Sequence, residues 1–224
     1  MAILEAQNLS YSYRTKYQTV QALREVSRQF EKGFFYALIG KSGSGKTTLL
    51  SLLAGLEQPQ GGSVMVDGTD LRKMDLDLYR RSRASVIYQS FNLFPLMTVY
   101  ENVMYPLKLM KKSDAEARAE AQEALSRVGL GSEYWKRLPA MLSGGEQQRV
   151  AIARTLAVHA GIILADEPTG NLDTETSAQI IALFADLAHK ENCCVLVVTH
   201  DPEVAKAADK VYRMNSGRLE EETP

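Results

Sequence analysis

The stretch Gly40-Lys41-Ser42-Gly43-Ser44-Gly45-Lys46-Thr47 constrains this chain more than any other. It meets the template G-x-x-x-x-G-K-[ST] at every fixed position. Upstream runs Phe34-Phe35-Tyr36-Ala37-Leu38-Ile39, an apolar stretch of strand length. Downstream, Thr48-Leu49-Leu50-Ser51-Leu52-Leu53-Ala54 has the composition of a helix. In a strand–loop–helix context, Gly40, Gly43 and Gly45, with Ser42 and Ser44 between them, let backbone N–H groups close around an anion. The helix start adds partial positive charge. Lys46 is long enough to reach outer phosphates, and the hydroxyl of Thr47, followed by Thr48, suits a magnesium ion beside them. The pattern predicts a nucleoside triphosphate site; a bare glycine turn is the alternative for the motif taken alone. A dinucleotide fingerprint does not fit, because its third glycine would fall on Thr48.

With 224 residues the chain is long enough for one α/β unit with a sizeable core. Its net charge of −1, from 26 basic and 27 acidic residues, offers no basic excess to argue for a nucleic-acid partner. Cys193 and Cys194 are adjacent in an apolar run, which reads as buried small hydrophobes in a reducing setting rather than a disulfide or metal framework. Residues 1–6 lack the basic and apolar regions of a secretion signal, and no apolar run approaches the roughly 18 residues of a membrane span. The expectation is a soluble chain that needs a partner for any membrane role.

Residues 3–35 read as short strands and turns, with Ile3, Glu5 and Gln7 alternating with Leu4, Ala6 and Asn8. Val64-Met65-Val66 before Asp67-Gly68 reads as a strand entering a tight turn, and Ser85-Val86-Ile87-Tyr88 as a strand ending at Gln89. Residues 90–142 change character. Pro95 and Pro106 are expected to break the early part, and Ser113-x-x-Glu116 is a capping box before an alanine-rich helix reaching about Val128. From 150 onward, apolar runs at 161–165 and 193–198 flank an amphipathic helix over 177–188, with Ile180, Ile181, Leu183, Phe184 and Leu187 facing inward. The expected class is α/β, a mostly parallel sheet covered on both faces and interrupted by a helical insertion.

Ile162-Ile163-Leu164-Ala165-Asp166-Glu167 puts two acids at the carboxyl end of a buried strand, the edge where open α/β sheets hold ligands. Asp166 suits a magnesium ion through water, and Glu167 suits polarising an attacking water. An acidic turn before Pro168 is the plain alternative, outweighed once a phosphate loop is present. In Leu142-Ser143-Gly144-Gly145-Glu146-Gln147-Gln148-Arg149, Ser143 is an N-cap and helix formers begin at Glu146. Two glycines at a helix start make a second anion surface, or only a flexible cap. As an anion surface, it either binds a second nucleotide on the same chain or closes over one held by another copy. His200 falls at the same sheet edge as Glu167, where it hydrogen-bonds a γ-phosphate and orients Glu167, or merely caps the next turn. His159 and His189 have no such placement.

The ordered set of loop 40–47, Gln89, Leu142-Ser143-Gly144-Gly145-Glu146, Asp166-Glu167, Asn171-Leu172-Asp173 and His200 resembles the nucleotide-binding subunit of an ABC transporter, over essentially the whole chain. The wording Ala165-Asp166-Glu167-Pro168-Thr169-Gly170-Asn171-Leu172-Asp173 is similar to the branch serving macrolide export, lipoprotein release and antimicrobial-peptide efflux (MacB- and LolD-like). Phe91-Asn92-Leu93 and Thr98-Val99-Tyr100-Glu101-Asn102-Val103 support that branch. The resemblance implies one nucleotide-binding domain over 1–224: a phosphate-loop NTPase core, a small N-terminal antiparallel β subdomain, and a helical subdomain at about 90–150, inserted after the Gln89 loop. It implies ATP hydrolysis with Mg²⁺, Lys46, Glu167, His200 and Gln89 acting at the reaction. Thr47, Asp166 and Gln89 are implied at the metal. Ser143, Gly144, Gly145 and Glu146 would close on ATP held by a second copy, and Asp173 would lie in the loop joining the two sites. Tyr13 is implied as the adenine-stacking aromatic, with Tyr11 on the same strand face and Tyr17 still open. A membrane permease on the cytoplasmic face would dock on the helical subdomain. Lys41, Thr47 and Tyr88 stand where many relatives carry proline, serine and phenylalanine, and none of these threatens the chemistry.

Competing classes fit less well. ATPases of this type that act on DNA carry long coiled-coil or zinc-bearing insertions, and residues 90–142 hold neither a sustained heptad nor Cys pairs. A force-transmitting or signalling role on a membrane partner uses the same nucleotide chemistry and stays open. A guanine-nucleotide switch lacks its Asn-Lys-x-Asp base reader. An importer often adds a C-terminal regulatory domain, and the short stretch after His200 leans toward export.

Overall fold

The computed structural model describes residues 2–222. The chain opens with β1 (Ala2–Arg14) and β2 (Thr19–Glu31), an antiparallel pair of 13 residues each, where the sequence pattern suggests shorter strands and turns. Register shifts along the pair, with Asn8 and Glu25 in left-handed backbone (φ 50° and 53°), explain the difference. Each bulge resets which side chain faces inward, so a long strand reads as several short ones. β3 (Phe35–Ile39) and α1 (Lys46–Leu53) flank the glycine loop as expected. β4 (Gly61–Val66) and β5 (Thr69–Asp70) complete an antiparallel sheet in the order β2-β1-β4-β5. Asp67 and Gly68 make the tight turn between them, both at positive φ.

α2 (Leu76–Ser82) and β6 (Ala84–Ile87) precede three helices, α3 (Val99–Leu109), α4 (Asp114–Arg127) and α5 (Gly144–Leu156). Pro106 does not break α3. Proline removes one helical hydrogen bond at a cost of about 3 kcal/mol. Val99, Val103 and Leu107, at i, i+4 and i+8, bury one face completely, and the Thr98–Glu101 capping box secures the start. The chain then alternates β7 (Ile162–Asp166), α6 (Thr174–His189), β8 (Cys194–Val198), α7 (Pro202–Ala207), β9 (Lys210–Asn215) and β10 (Arg218–Glu222). The second sheet runs β10-β9-β3-β8-β7-β6, parallel throughout except for β10 against β9.

Period-2 alternation along these strands divides the buried residues between two cores. Ile163, Ala165, Val195 and Val197 face α3 to α7, while Ile162, Leu164, Leu196 and Val198 face α1 and the antiparallel sheet. Both cysteines are buried free thiols, and burial raises the pKa of each. The α/β class, the antiparallel N-terminal sheet and the helical region are as expected.

Candidate nucleotide site

The site begins where β3 runs out and the chain turns through residues 40–45 into α1. Two glycines there answer to space as well as to backbone. A Cβ on Gly40 (φ 150°) would lie 2.4 Å from the Met214 carbonyl oxygen, and one on Gly45 (φ 112°) 2.3 Å from that of Ala22. The β9 and β2 backbones thus brace the loop from behind. α1 starts without a side-chain cap, so its first N–H groups face outward for an anion. Lys46 Nζ donates to the carbonyls of Gly40 (2.8 Å) and Lys41 (3.1 Å), which holds the ammonium over the loop. Ser44 Oγ is buried with no hydrogen-bond partner among the described residues.

β7 brings its acids to the same edge. Thr47 Oγ1 donates to Asp166 Oδ2 at 2.9 Å. Burial pushes the Asp166 carboxyl above its ordinary range, Glu167 adds to this, and Thr47 and Lys46 oppose it. Glu167 leaves the strand in left-handed backbone at φ 49°, its N–H donating to Val198 O at 2.9 Å. That conformation costs a side-chain-bearing residue about 1–2 kcal/mol. It swings the carboxylate against His200, whose Nδ1 lies 2.9 Å from Glu167 Oε1. Thr199 Oγ1 and the His200 N–H donate to Oε2, each at 3.4 Å. The Glu167 side chain is 14% exposed and that of His200 78%. The hydrogen bond to Glu167, then its charge, raise the His200 pKa above its usual value.

Gly40, Gly45, Lys46, Thr47, Asp166, Glu167 and His200 line a cleft of about 540 Å³ together with Tyr13, Ser42, Gly43, Thr48 and Gln89, whereas Ser44, predicted with them, does not line it. The Tyr13 hydroxyl is 3.2 Å from Thr48 Oγ1, and its ring meets Tyr11 edge-on at 5.1 Å. Tyr11 turns its hydroxyl away to Glu57, and neither Tyr11 nor Tyr17 lines the cleft. Val20 and Ala22 of β2 also line it. Sequence reasoning missed both, because nothing local to 19–22 marks a ligand wall. A larger hollow of about 910 Å³ lies beyond His200, beside α7 and β9. It shares Gly40 and His200 with the smaller cleft and adds Lys41, but it has none of Lys46, Thr47, Asp166 or Glu167, the side chains suited to phosphate and metal.

Ser143, Gly144, Gly145 and Glu146 are not in this cleft. Ser143 caps α5 in a full capping box: its N–H donates to Glu146 Oε2 at 2.7 Å and its Oγ accepts from Glu146 N at 3.2 Å. The backbone bond from Ser143, foremost, holds the Glu146 carboxyl below its usual range. Ser143 and Gly144 are exposed, and Gly145 packs beside Asn171. Asp173 caps α6, accepting from Thr176 N and Oγ1, and it too lies outside the cleft. His189 pairs with Asp209, which also accepts from Phe35 N, and His159 is exposed.

The cleft suits a magnesium ion held jointly with phosphates. Its donors are hard oxygens, Thr47 Oγ1 and Asp166 Oδ2, with Glu167 and Gln89 nearby. Among the described residues no group of three acidic, histidine or cysteine side chains holds a metal alone. A buried carboxyl whose anion is disfavoured gains from such a cation.

A glycine loop braced between strands, opening on two acids at the carboxyl edge of a parallel sheet, defines a phosphate-loop nucleotide hydrolase. The chain belongs to the ABC transporter family, whose model matches residues 23–170, and it is accordingly an ATPase that works on ATP with Mg²⁺. The lipoprotein-releasing system ATP-binding protein LolD of Chromohalobacter salexigens is 40% identical, covering 98% of this chain and 94% of that protein. The methionine import ATP-binding protein MetN of Cutibacterium acnes is 43% identical over 96% of this chain and 60% of its own length. A dimeric structure of the ATP-binding cassette MJ0796 in a post-hydrolysis state, bound to ADP and Pi, superposes with a TM-score of 0.93. It is 36% identical and covers 98% of each chain.

Proposed function

We propose that this chain is the ATP-hydrolysing subunit of a membrane exporter and works as two identical copies that clasp two ATP molecules between them. One observation carries the pairing. The α5 start, glycine-rich and exposed at Ser143 and Gly144, stands apart from the cleft of its own chain. A two-fold arrangement gives each α5 start to the partner's phosphate loop. The relative MJ0796, solved as a dimer with ADP and Pi, supports this reading.

In it, residues 1–224 form one nucleotide-binding domain. The α1 amides and Lys46 hold the β- and γ-phosphates, Tyr13 stacks on adenine, and Thr47, Asp166 and Gln89 hold Mg²⁺. The ion supplies charge neutralisation on the phosphates. Glu167 orients a water in line with the γ-phosphorus and takes its proton. The water oxygen bonds phosphorus as the bond to the β–γ bridging oxygen breaks, yielding ADP and phosphate. His200 holds the Glu167 carboxylate through Nδ1 and leaves Nε2 for the γ-phosphate. Dividing the charge that both α5 starts face favours opening of the pair, and Asp173 lies in the loop joining the two sites.

Opening and closing reach a permease through the helical subdomain at about 90–150, where Leu96 (91% exposed) and Met141 (63%) present apolar surface. No helix among the described residues is long and apolar enough to cross a membrane. We assign the chain to the inner face of the cell membrane, held there by its permease. Export follows the LolD-like wording of 165–173, and the likeness to MetN makes uptake the second reading. A force-transmitting role without transport uses the same chemistry. Identifying the membrane protein that co-purifies separates the three.

Glu167→Gln tests the mechanism. It should bind Mg-ATP, lose turnover roughly 10²- to 10⁴-fold, and elute as a nucleotide-bound dimer. Turnover at the parent rate would remove Glu167 as the base, and a monomer saturated with Mg-ATP would remove the clasp.

A further inference from the structure

Arg154 lies on α5, and among the described residues the hydrogen bonds of its guanidinium go to backbone carbonyls. Nη1 donates to Asn92 O at 2.7 Å and Nη2 to Phe91 O at 3.0 Å. Among the described residues no carboxylate contributes to its electrostatics, and desolvation lowers its pKa from the ordinary value. Phe91 and Asn92 both hold left-handed backbone, φ 58° and 49°. Asparagine tolerates that region, whereas a bulky residue such as phenylalanine avoids it. Two such residues in succession persist only where something outside the loop over-determines them. One planar fork on two successive carbonyls is a restraint of that kind.

This loop begins at Gln89, which lines the nucleotide cleft, while the helix carrying Arg154 begins at Ser143. We propose that Arg154 is a positioning residue: it ties the loop after Gln89 to α5 and so sets where the Gln89 amide sits in the cleft. The proposal rests on the reading of Gln89 given above. A shift of the α5 start, where the partner's nucleotide docks in that reading, then reaches the chain's own cleft through one side chain.

Arg154→Lys separates the two halves of the idea. Lysine keeps the charge but cannot serve two carbonyls from one plane. In the whole chain, hydrogen exchange at amides 90–93 should speed up while the β7 amides stay protected. The kcat should fall roughly ten- to a hundredfold, as misplacement at a distance does, and half-saturating Mg²⁺ should rise. Binding of a fluorescent ATP analogue without Mg²⁺ should not change. In a Gln89→Ala background Arg154→Lys should add nothing further to either kinetic change. Unaltered exchange in Arg154→Lys overturns the clamp. Faster exchange with parental kcat and Mg²⁺ dependence, or additive losses in the double variant, overturns the positioning role. If Gln89→Ala alone leaves hydrolysis and its Mg²⁺ dependence untouched, the reading of Gln89 is what fails, and Arg154 is left as a support for the loop.

Discussion

Glu167 reaches His200 because its backbone turns left-handed one residue beyond the last residue of β7. His200 therefore binds its proton more tightly folded than unfolded. The pair contributes its stability fully below the unfolded imidazole value of about 6.5 and loses it as pH rises through the elevated folded value. With most of His200 in solvent the contribution is small. We expect the stability gap between the parent and Glu167→Gln to be widest in mildly acidic solution and to narrow toward alkaline pH. An NMR titration of the His200 ring should place its midpoint above 6.5 in the parent and lower in the variant. A midpoint indifferent to the substitution would mean that Glu167 does not hold the ring. The positions of Asp166, Glu167 and His200 were legible beforehand, because each directly follows or ends an apolar run of strand length. The 2.9 Å contact and its left-handed hinge were not, since they depend on how β7 and β8 register side by side.

Three helices begin with the same device. Thr98 with Glu101, Ser113 with Glu116 and Ser143 with Glu146 each form a reciprocal capping box. In the sequence only the middle one is identified as a box, Ser143 is taken as a simple cap and Thr98 is assigned no cap, although S/T-x-x-E is present in all three. Pro106 marks a break by its local chemistry, and the buried face of α3 outweighs it. Ser143→Ala should destabilise the chain by about 1 kcal/mol in urea unfolding without nucleotide, the usual loss for a serine cap. An unchanged midpoint and slope would show that the box does not secure α5. That result is separate from any effect on pairing, because it is read on the apo chain.

Across the molecule, the cleft lined by the phosphate loop takes no residue from the α5 start, which the proposed pairing gives to the partner copy. Turnover per subunit should accordingly rise with protein concentration across the range where dimers form. A flat dependence while sedimentation reports monomer throughout would establish a one-chain site. Taken by itself, the sequence determined what is contiguous: the glycine loop between strand and helix, the acids that end β7, the alternation that makes both faces of the parallel sheet apolar, and the caps that start helices. These are short-range matters, settled by backbone sterics and by patterns of 2 and 3.6 residues. Only the tertiary structure decided which distant groups meet: Thr47 with Asp166, Glu167 with His200, Arg154 with the loop after Gln89, and β2 as a wall of the cleft. Those meetings follow from the register between strands and the packing of helices onto a twisted sheet, in which the separation of two residues in space does not depend on their separation in the chain.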